Sequence, residues 1–259
     1  MNALAGKTAL IIGASSEGGV GWATAQRFAA EGARVMVAAR RIEPLRKLAR
    51  MIDGTAITCD LGDEESVTTL ARDGLGAGID LLVNAAGKPV PGVISSVDTA
   101  GVQEASEVEF LGTWRLLKHL APRVRDGGSI VAVSSLSSTH VVPGFVAYAA
   151  AKAAANTLVR YAAVEFAPRR IRVNAILPGL IDTPMNDSFR HNEAMMRVML
   201  KEVPLGRMAS AAEIASAALW LCQDDCFATG IMLTVDGGNH LRRAPFPDEL
   251  PVTAFSDVK

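Results

Sequence analysis

The chain has 259 residues, a formal net charge of −1 at pH 7 and a composition that is 49% hydrophobic but only 5% aromatic. This length is sufficient for one large core, and the balanced charge argues against a nucleic-acid-binding protein. No uninterrupted apolar stretch reaches the ~20 residues that a membrane helix needs, and no signal-peptide pattern is present, so we expect a soluble cytoplasmic protein without a membrane partner.

Short apolar runs alternate with helical patterns along most of the chain. The runs predict strands at residues 8–12, 34–39, 55–59, 80–83, 128–133, 171–177 and 230–235. The patterns between them predict helices at residues 21–31, 44–51, 102–120, 148–166 and 211–221, and a further helix that Asp63 caps. Residues 179–208 are Met-rich and are predicted to be irregular.

This alternation predicts an α/β fold. Strands separated by helices form βαβ units, which build a doubly wound parallel sheet of about seven strands with helices on both faces. No repeat, linker or charge block divides the chain, so we expect one domain over residues 1–239. Residues 240–259 contain three prolines and lack periodicity, which predicts a tail lying over the domain or a neighbouring subunit.

The three cysteines indicate neither a disulfide framework nor a metal site. Cys59, Cys222 and Cys226 are sparse and odd in number, which is typical of reduced intracellular thiols. Cys222 and Cys226 can share a helical face, but the four histidines are scattered and supply no further ligand. We therefore predict no bound metal.

A glycine-rich turn lies between the first predicted strand and the first predicted helix. Glycines let the backbone turn tightly and approach a pyrophosphate, which the N–H groups of the following helix bind. At this place in a βαβ array the turn predicts a Rossmann-type dinucleotide site. The candidate residues of the turn are Gly13, Ser15, Ser16, Gly19, Val20 and Gly21.

The end of the second strand indicates the choice of cofactor. An acidic residue there binds the ribose 2′-OH of NAD, whereas a basic residue accommodates the 2′-phosphate of NADP. This chain has Arg40 and Arg41 at that point and no acid, and a guanidinium suits a phosphate. We therefore expect NADP(H), with Arg40 at the phosphate. Glu17 in the glycine turn opposes additional negative charge, which leaves NAD(H) as the alternative.

A tyrosine and a lysine stand four residues apart in the second long helix. Tyr148 and Lys152 therefore share one helical face, and an ammonium near a phenol favours the phenolate. Such a pair can transfer a proton to and from a substrate oxygen, which the upstream Ser135 hydroxyl can orient. The alternative interpretation of this pattern alone is a surface pair with a solvated lysine.

Taken together, these segments resemble the short-chain dehydrogenase/reductase family in its single-domain form. The resemblance extends over residues 7–238 and is specific because the motifs occur in order at fitting spacing. Beyond the glycine turn, they are Asp60-Leu61, Asn84-Ala-Ala-Gly87, Ser134-Ser135, Tyr148-xxx-Lys152, Pro178-Gly179-Leu-Ile-Asp-Thr183, Pro204-Leu-Gly-Arg207 and Val235-Asp-Gly-Gly238.

The resemblance implies roles for the matching positions. Tyr148 would be the general acid in reduction and the base in oxidation. Lys152 would lower the pKa of Tyr148 and bind the nicotinamide ribose, while Ser135 would hold the substrate oxygen. The cofactor-binding positions implied in addition are Asp60, Leu61, Asn84, Ala85, Ala86, Gly87, Pro178, Gly179, Ile181 and Thr183.

The chain departs from the family pattern at three points. The glycine turn is two residues longer than usual, and Ile12 replaces the usual Thr. Glu109 replaces an Asn that, in the family, helps to hold a water joined to the lysine. Two interpretations stay open: the Glu109 side chain points elsewhere and only its backbone carbonyl matters, or its carboxylate competes for the charge of Lys152.

The substrate side of the site is predicted from apolar residues. The segment after Thr183 is Met-rich and adaptable, which predicts a lid over an apolar ketone or alcohol, or alternatively a short amphipathic helix in the core. The candidate pocket residues are His140, Val142, Phe145, Met185 and Phe189.

We therefore predict an NADP(H)-dependent oxidoreductase that interconverts a small secondary alcohol and a ketone. A 3-oxoacyl-thioester reductase is the enzymatic alternative, although no basic cluster marks an acyl-carrier site. Enoyl reductases of the family usually place their Tyr and Lys further apart. A catalytically silent cofactor-binding or scaffold protein is the alternative from another class, since Glu109 departs from the pattern. Excess apolar residues on the two long helices, together with the resemblance, predict a homotetramer.

Overall fold

A computed structural model describes residues 2–250, except for the side chains of residues 188, 189 and 247. Its centre is a sheet whose inner strands are buried on both faces, which explains why these strands are near-continuous apolar runs in the sequence. The strands of this sheet are β1 (Thr8–Ile12), β2 (Arg34–Ala39), β3 (Thr55–Thr58), β4 (Ile79–Asn84), β5 (Val124–Val133), β6 (Arg172–Pro178) and β9 (Met232–Val235). A separate pair consists of β7 (Ile181–Asp182) and β8 (Ala209–Ser210).

The seven strands run parallel in the order β3-β2-β1-β4-β5-β6-β9. The order reverses between β1 and β4, where Ile12 pairs with Asn84. At such a reversal the connections leave towards opposite faces and open a crevice at the carboxyl ends of the strands, where ligands bind in this class of sheet. The predicted doubly wound, Rossmann-type sheet is confirmed.

Helices cover both faces of the sheet. Phe28, Leu45 and Ile214 belong to the core on one face, and Leu116 and Val159 belong to the core on the other. The α-helices are α1 (Val20–Ala30), α2 (Ile42–Ile52), α3 (Glu64–Thr69), α4 (Thr99–Ala105), α5 (Gly112–Arg115), α6 (Val146–Glu165), α7 (Asp187–Arg190), α8 (Glu193–Lys201) and α9 (Ala211–Cys222).

The long helix predicted at residues 102–120 is helical throughout but is not a regular α-helix. Two widened π-helical segments, Ser106–Leu111 and Leu116–Leu120, interrupt it. Glu109 lies in the first segment, and the Thr113 hydroxyl donates to the Glu109 carbonyl oxygen at 2.7 Å. Widened turns of this kind are frequent at functional sites because they redirect side chains.

The prediction that residues 179–208 are irregular is wrong. This stretch contains β7, α7 and the nine-residue helix α8. The Asn192 side chain caps α8 by accepting from the Met195 amide at 3.0 Å, and Met195 and Met196 are buried. Methionine is a good helix former, so an amphipathic helix, the alternative interpretation of this stretch, is what the residues build.

Among residues 2–250, no helix is both long and apolar enough to cross a membrane. Cys59, Cys222 and Cys226 are buried free thiols. Burial raises the pKa of Cys59 to about 11 and that of Cys222 to about 12. Both thiols are therefore protonated at neutral pH.

Candidate active site

Tyr148 and Lys152 lie on one face of α6, with the Lys152 ammonium nitrogen 5.6 Å from the centre of the Tyr148 ring. Lys152 is only 5% exposed, so the interpretation of a solvated surface lysine is wrong. Its ammonium donates to the Val133 carbonyl oxygen at 2.8 Å, at the end of β5. The helix therefore brings the pair to the carboxyl edge of the sheet.

Glu109 completes this cluster from the first π-helical segment. One carboxylate oxygen lies 2.7 Å from the Lys152 ammonium, and the other accepts from the Lys88 backbone amide at 2.7 Å. The residue is 2% exposed. The interpretation in which its side chain points elsewhere is therefore wrong. The carboxylate reaches Lys152 directly, at the place where the family pattern has an amide and a water.

Burial dominates the electrostatics of the pair. Desolvation, the largest effect, raises the pKa of the Tyr148 phenol, and the Lys152 charge lowers it. The Glu109 carboxylate raises this pKa further, and a hydrogen bond with Ser135 lowers it. The net effect is an increase. Desolvation acts to lower the pKa of Lys152, but Glu109 and Tyr148 outweigh it and the net pKa is raised. At neutral pH Tyr148 is therefore a phenol and Lys152 an ammonium.

Ser135 follows β5 and lies beside Tyr148. Its hydroxyl oxygen accepts from the Ser137 amide at 3.2 Å and from the Ser137 hydroxyl at 2.9 Å. A serine hydroxyl has two lone pairs and one proton, so these two bonds leave it as a donor. A donor here suits the oxygen of a carbonyl or alcohol.

The glycine turn packs so tightly that side chains would not fit. Gly13 has φ of +84°, and a Cβ there would lie 2.3 Å from the Ala86 amide nitrogen. A Cβ at Gly21 would lie 2.5 Å from the Gly13 carbonyl oxygen. Gly19 caps α1 without a side-chain hydrogen bond, which leaves the N–H groups of the first turn free of a side-chain acceptor. This cradle fits the pyrophosphate of a dinucleotide.

Beside the cradle lies a cavity of about 500 Å³ lined by residues that include Ser15, Ser16 and Arg41. The Arg41 guanidinium donates to the Ser15 carbonyl oxygen at 3.0 Å. Arg40 is exposed, and its role at a phosphate stays a prediction. Sequence reasoning did not single out Arg41, although its position beside Arg40 was the available signal.

The other predicted cofactor positions follow strand ends at the same edge of the sheet. The Asp60 carboxylate accepts from the Gly62 amide at 2.9 Å after β3, and Leu61 is buried. The Asn84 side-chain oxygen accepts from the Ala86 amide at 3.1 Å after β4. Next to them, the Ala85 amide donates to the Ile12 carbonyl oxygen at the end of β1, and Gly87 lies against the Glu109 carboxylate. The hydrogen bonds of Asp60 and Asn84 thus stabilise the turns that line the crevice.

The motif after β6 lies against the last strand. A Cβ at Gly179 would lie 2.8 Å from the Asp236 Cβ, and Pro178 pairs with Val235. Thr183 is buried, and Ile181 belongs to β7. The motif at residues 178–183 and the motif at residues 235–238 thus meet in space.

The predicted substrate residues are less closely assembled. His140 is engaged by the tail, since its Nε2 lies 2.7 Å from the His240 carbonyl oxygen. Phe145 precedes α6 and bridges to Gly92, Val142 is half-buried and Met185 is 49% exposed. The side chain of Phe189 lies outside the described part of the structure. This pocket stays a prediction.

A parallel sheet with a glycine cradle at its switch point, and a half-buried tyrosine beside a buried lysine on the same edge, defines a dinucleotide-binding oxidoreductase. Comparison with known proteins narrows this class. The model of a family described as enoyl-(acyl carrier protein) reductase matches residues 13–240. Oxidoreductase UcpA of Salmonella typhimurium is 36% identical, with 93% of this chain and 97% of that protein covered. The chain belongs to the short-chain dehydrogenase/reductase family, which confirms the resemblance found in the sequence.

Further relatives and solved structures agree. Glucose 1-dehydrogenase of Gluconobacter oxydans is 33% identical, with 90% of this chain and 92% of that protein covered. A dehydrogenase/reductase structure from Sinorhizobium meliloti has a TM-score of 0.83 at 32% identity, covering 92% of this chain and 96% of that one. A short-chain type dehydrogenase/reductase from Mycobacterium ulcerans has a TM-score of 0.91 at 27% identity, covering 98% and 97%.

Proposed function

We propose that this protein interconverts a secondary alcohol and a ketone with NADP(H), and that Tyr148 is its general acid and base. The observation that carries the proposal is the position of Tyr148, Lys152 and Ser135 on the sheet edge that also holds the glycine cradle. Cofactor and proton donor therefore meet at one crevice.

Each residue has a distinct task. The bound nicotinamide supplies the hydride exchange. Tyr148 donates its proton to the carbonyl oxygen in reduction and takes it back in oxidation. Ser135, with both lone pairs engaged by Ser137, donates to the same oxygen. Lys152 stabilises the phenolate and, with Glu109 and Val133 bound, keeps one ammonium donor for a ribose hydroxyl.

The names of two relatives support a hydroxyl-bearing substrate. One is a glucose 1-dehydrogenase, and the other, from Sphingobium indicum, is a 2,5-dichloro-2,5-cyclohexadiene-1,4-diol dehydrogenase. The family description names an enoyl thioester of acyl carrier protein instead. It supports an acyl-thioester substrate class, to which the second candidate, a 3-oxoacyl-thioester reductase, belongs.

The choice of NADP(H) is supported by the cations near the cradle. Arg41 holds the glycine turn and lines the adjoining cavity, where a 2′-phosphate would meet its guanidinium. Lys47 lines the same cavity but forms an ion pair of 2.6 Å with Glu17. Glu17 is thus partly neutralised, which weakens the argument that it opposes a phosphate.

We further propose a cytoplasmic homotetramer. Trp114 and Tyr161 are 49% and 66% exposed, and Val164 is 75% exposed. Exposed apolar side chains on α5 and α6 fit an interface between copies of the chain. The buried free thiols fit a reducing compartment. Light scattering that gives the mass of one chain would count against the tetramer.

The decisive experiment follows NADPH and NADH oxidation with a panel of ketones, a 3-oxoacyl thioester and an enoyl thioester. We expect turnover of ketones with NADPH and its loss in Tyr148→Phe, while cofactor binding persists. Preferential turnover of a thioester would select the second candidate. Tight cofactor binding without turnover of any substrate would establish the silent protein and refute the proposal.

A further inference from the structure

The buried pair of Glu109 and Lys152 is an unusual feature of this site. Both residues are almost completely shielded from water, at 2% and 5% exposed. Burying two charges is costly unless each is paired and its remaining hydrogen-bonding capacity is satisfied. A buried ion pair at this position therefore suggests a specific role in the site.

The pair is held from four parts of the fold. Glu109 comes from the first π-helical segment and Lys152 from α6. The Lys88 amide, after β4, donates to the second carboxylate oxygen of Glu109. The Val133 carbonyl, at the end of β5, accepts from the Lys152 ammonium. A Cβ at Gly87 would lie 3.2 Å from the Glu109 carboxylate, so the chain passes directly over it. The ammonium therefore has one well-defined position.

Three charged groups on the elements packed around the pair are engaged elsewhere. Glu107, in the same segment as Glu109, forms an ion pair of 2.6 Å with Arg115. Glu104 of α4 pairs with the Lys88 side chain. On β6, the Arg172 guanidinium donates to the Gln223 carbonyl oxygen at 2.9 Å.

Three groups consequently act on the Tyr148 phenol within the described residues. They are the Lys152 ammonium and the Ser135 hydroxyl, which both favour the phenolate, and the Glu109 carboxylate, which favours the phenol. The Glu109 carboxylate, 2.7 Å from the Lys152 ammonium, offsets part of the effect of that charge on Tyr148. Burial acts in the same direction as Glu109, and the net effect is a raised pKa of Tyr148.

We propose that Glu109 is a positioning residue that fixes Lys152 and offsets part of its charge, so that Tyr148 keeps its proton to higher pH and the enzyme favours carbonyl reduction. This inference rests on the proposed function. In the forward step the carbonyl carbon gains the hydride of the reduced nicotinamide and the carbonyl oxygen gains the Tyr148 proton. The products are the alcohol, the oxidised cofactor and a phenolate, which recovers a proton from solvent.

The composition of the chain permits a direct test without any substrate. The protein has two tyrosines, Tyr148 and Tyr161, and Tyr161 is exposed. Tyr161→Phe therefore leaves Tyr148 as the one phenol whose ionisation the near-ultraviolet absorbance reports. The full-length protein with this change is titrated towards alkaline pH, with circular dichroism to confirm that it stays folded.

Glu109→Gln is then added, with Glu107→Gln as the matched control, because it removes a paired carboxylate from the same segment. We expect a parent midpoint above the ordinary value of about 10. Glu109→Gln should lower it by about one pH unit, the size expected for loss of one nearby charge, and Glu107→Gln should leave it unchanged.

Three results would overturn the inference: an unchanged or raised midpoint in Glu109→Gln, an equal fall in Glu107→Gln, or a parent midpoint below about 10. The parent midpoint is measured without any change at Glu109, so this test remains available even if Glu109→Gln fails to fold. Because the phenol is observed directly, this outcome is independent of whether any ketone is turned over.

If a substrate is turned over, the pH dependence of kcat provides a second test. The rate constant kcat for reduction should stay level through neutral pH, and kcat for oxidation should rise towards alkaline pH. Glu109→Gln should move the oxidation profile to lower pH with little change in KM. A profile that does not move would contradict the role of Glu109, because a merely structural change lowers kcat without moving its pH dependence.

Discussion

Removal of the Lys152 charge should destabilise the protein strongly, because Glu109 would remain buried without a counter-ion. In Lys152→Met the apolar stem is largely preserved, while the carboxylate loses its partner at 2.7 Å and keeps only the Lys88 amide. Breaking a buried ion pair on one side typically costs about 3–5 kcal/mol. We expect a loss of that size in the free energy of unfolding, measured by urea denaturation with circular dichroism.

Two comparisons make this test specific. Adding Glu109→Gln to Lys152→Met removes the orphaned charge, so the double variant should be more stable than the sum of the two single losses by about 2–3 kcal/mol. Arg46→Met is the surface control, because Arg46 and Glu43 form an ion pair of the same length, 2.7 Å, but are 58% and 74% exposed. Its cost should stay below about 1 kcal/mol. A loss in Lys152→Met no larger than in this control would refute the reasoning about burial.

Three further predictions follow from particular contacts. Gly13→Ala places a Cβ 2.3 Å from a backbone nitrogen at a φ of +84°, so it should abolish cofactor binding and cost at least about 1–3 kcal/mol in unfolding experiments. Arg41→Ala should weaken NADPH binding about tenfold or more, with a smaller effect on NADH, as measured by fluorescence titration; Arg40→Ala is its neighbouring control. Cys59 and Cys222, with pKa values raised to about 11 and about 12, should resist alkylation at neutral pH in the native protein and react after unfolding, as mass spectrometry detects.

Each of these predictions has a contrary outcome. Native cofactor affinity in Gly13→Ala would show that the turn relaxes without loss of the cradle. A larger NADPH effect in Arg40→Ala than in Arg41→Ala would restore Arg40 as the phosphate contact. Rapid alkylation of Cys222 in the folded protein would mean that α9 opens locally.

The order of the elements and the parallel sheet were predictable because the chain alternates apolar runs with helical patterns. Apolar runs bounded by turn residues mark strands, so β1 to β6 and β9 fall near their predicted positions. Right-handed crossovers between parallel strands then leave few topologies. The helix α8 was predicted only as an alternative interpretation of its segment, because it is short. The π-helical segments were missed, since hydrophobic periodicity does not distinguish a widened turn from an α-helical one.

In the candidate site, too, local features were predictable from the sequence and contacts between distant elements were not. Gly13 and the spacing of Tyr148 from Lys152 are local properties, because a tight turn demands glycine and four residues span one helical turn. These are visible in the sequence without knowledge of packing. Together with the other motifs in order along the chain, they were sufficient to predict the family and to propose Tyr148 and Lys152 as the proton-transfer pair.

Only the tertiary structure decided how that pair is charged and oriented. The sequence left the direction of the Glu109 side chain open, and it did not single out Arg41 from Arg40. Both questions depend on which elements pack across the side chain: α6 against the π-helical segment, and the end of β2 against the glycine turn. Burial, which raises the pKa of Tyr148 despite the neighbouring ammonium, likewise arises only when those elements close over the site.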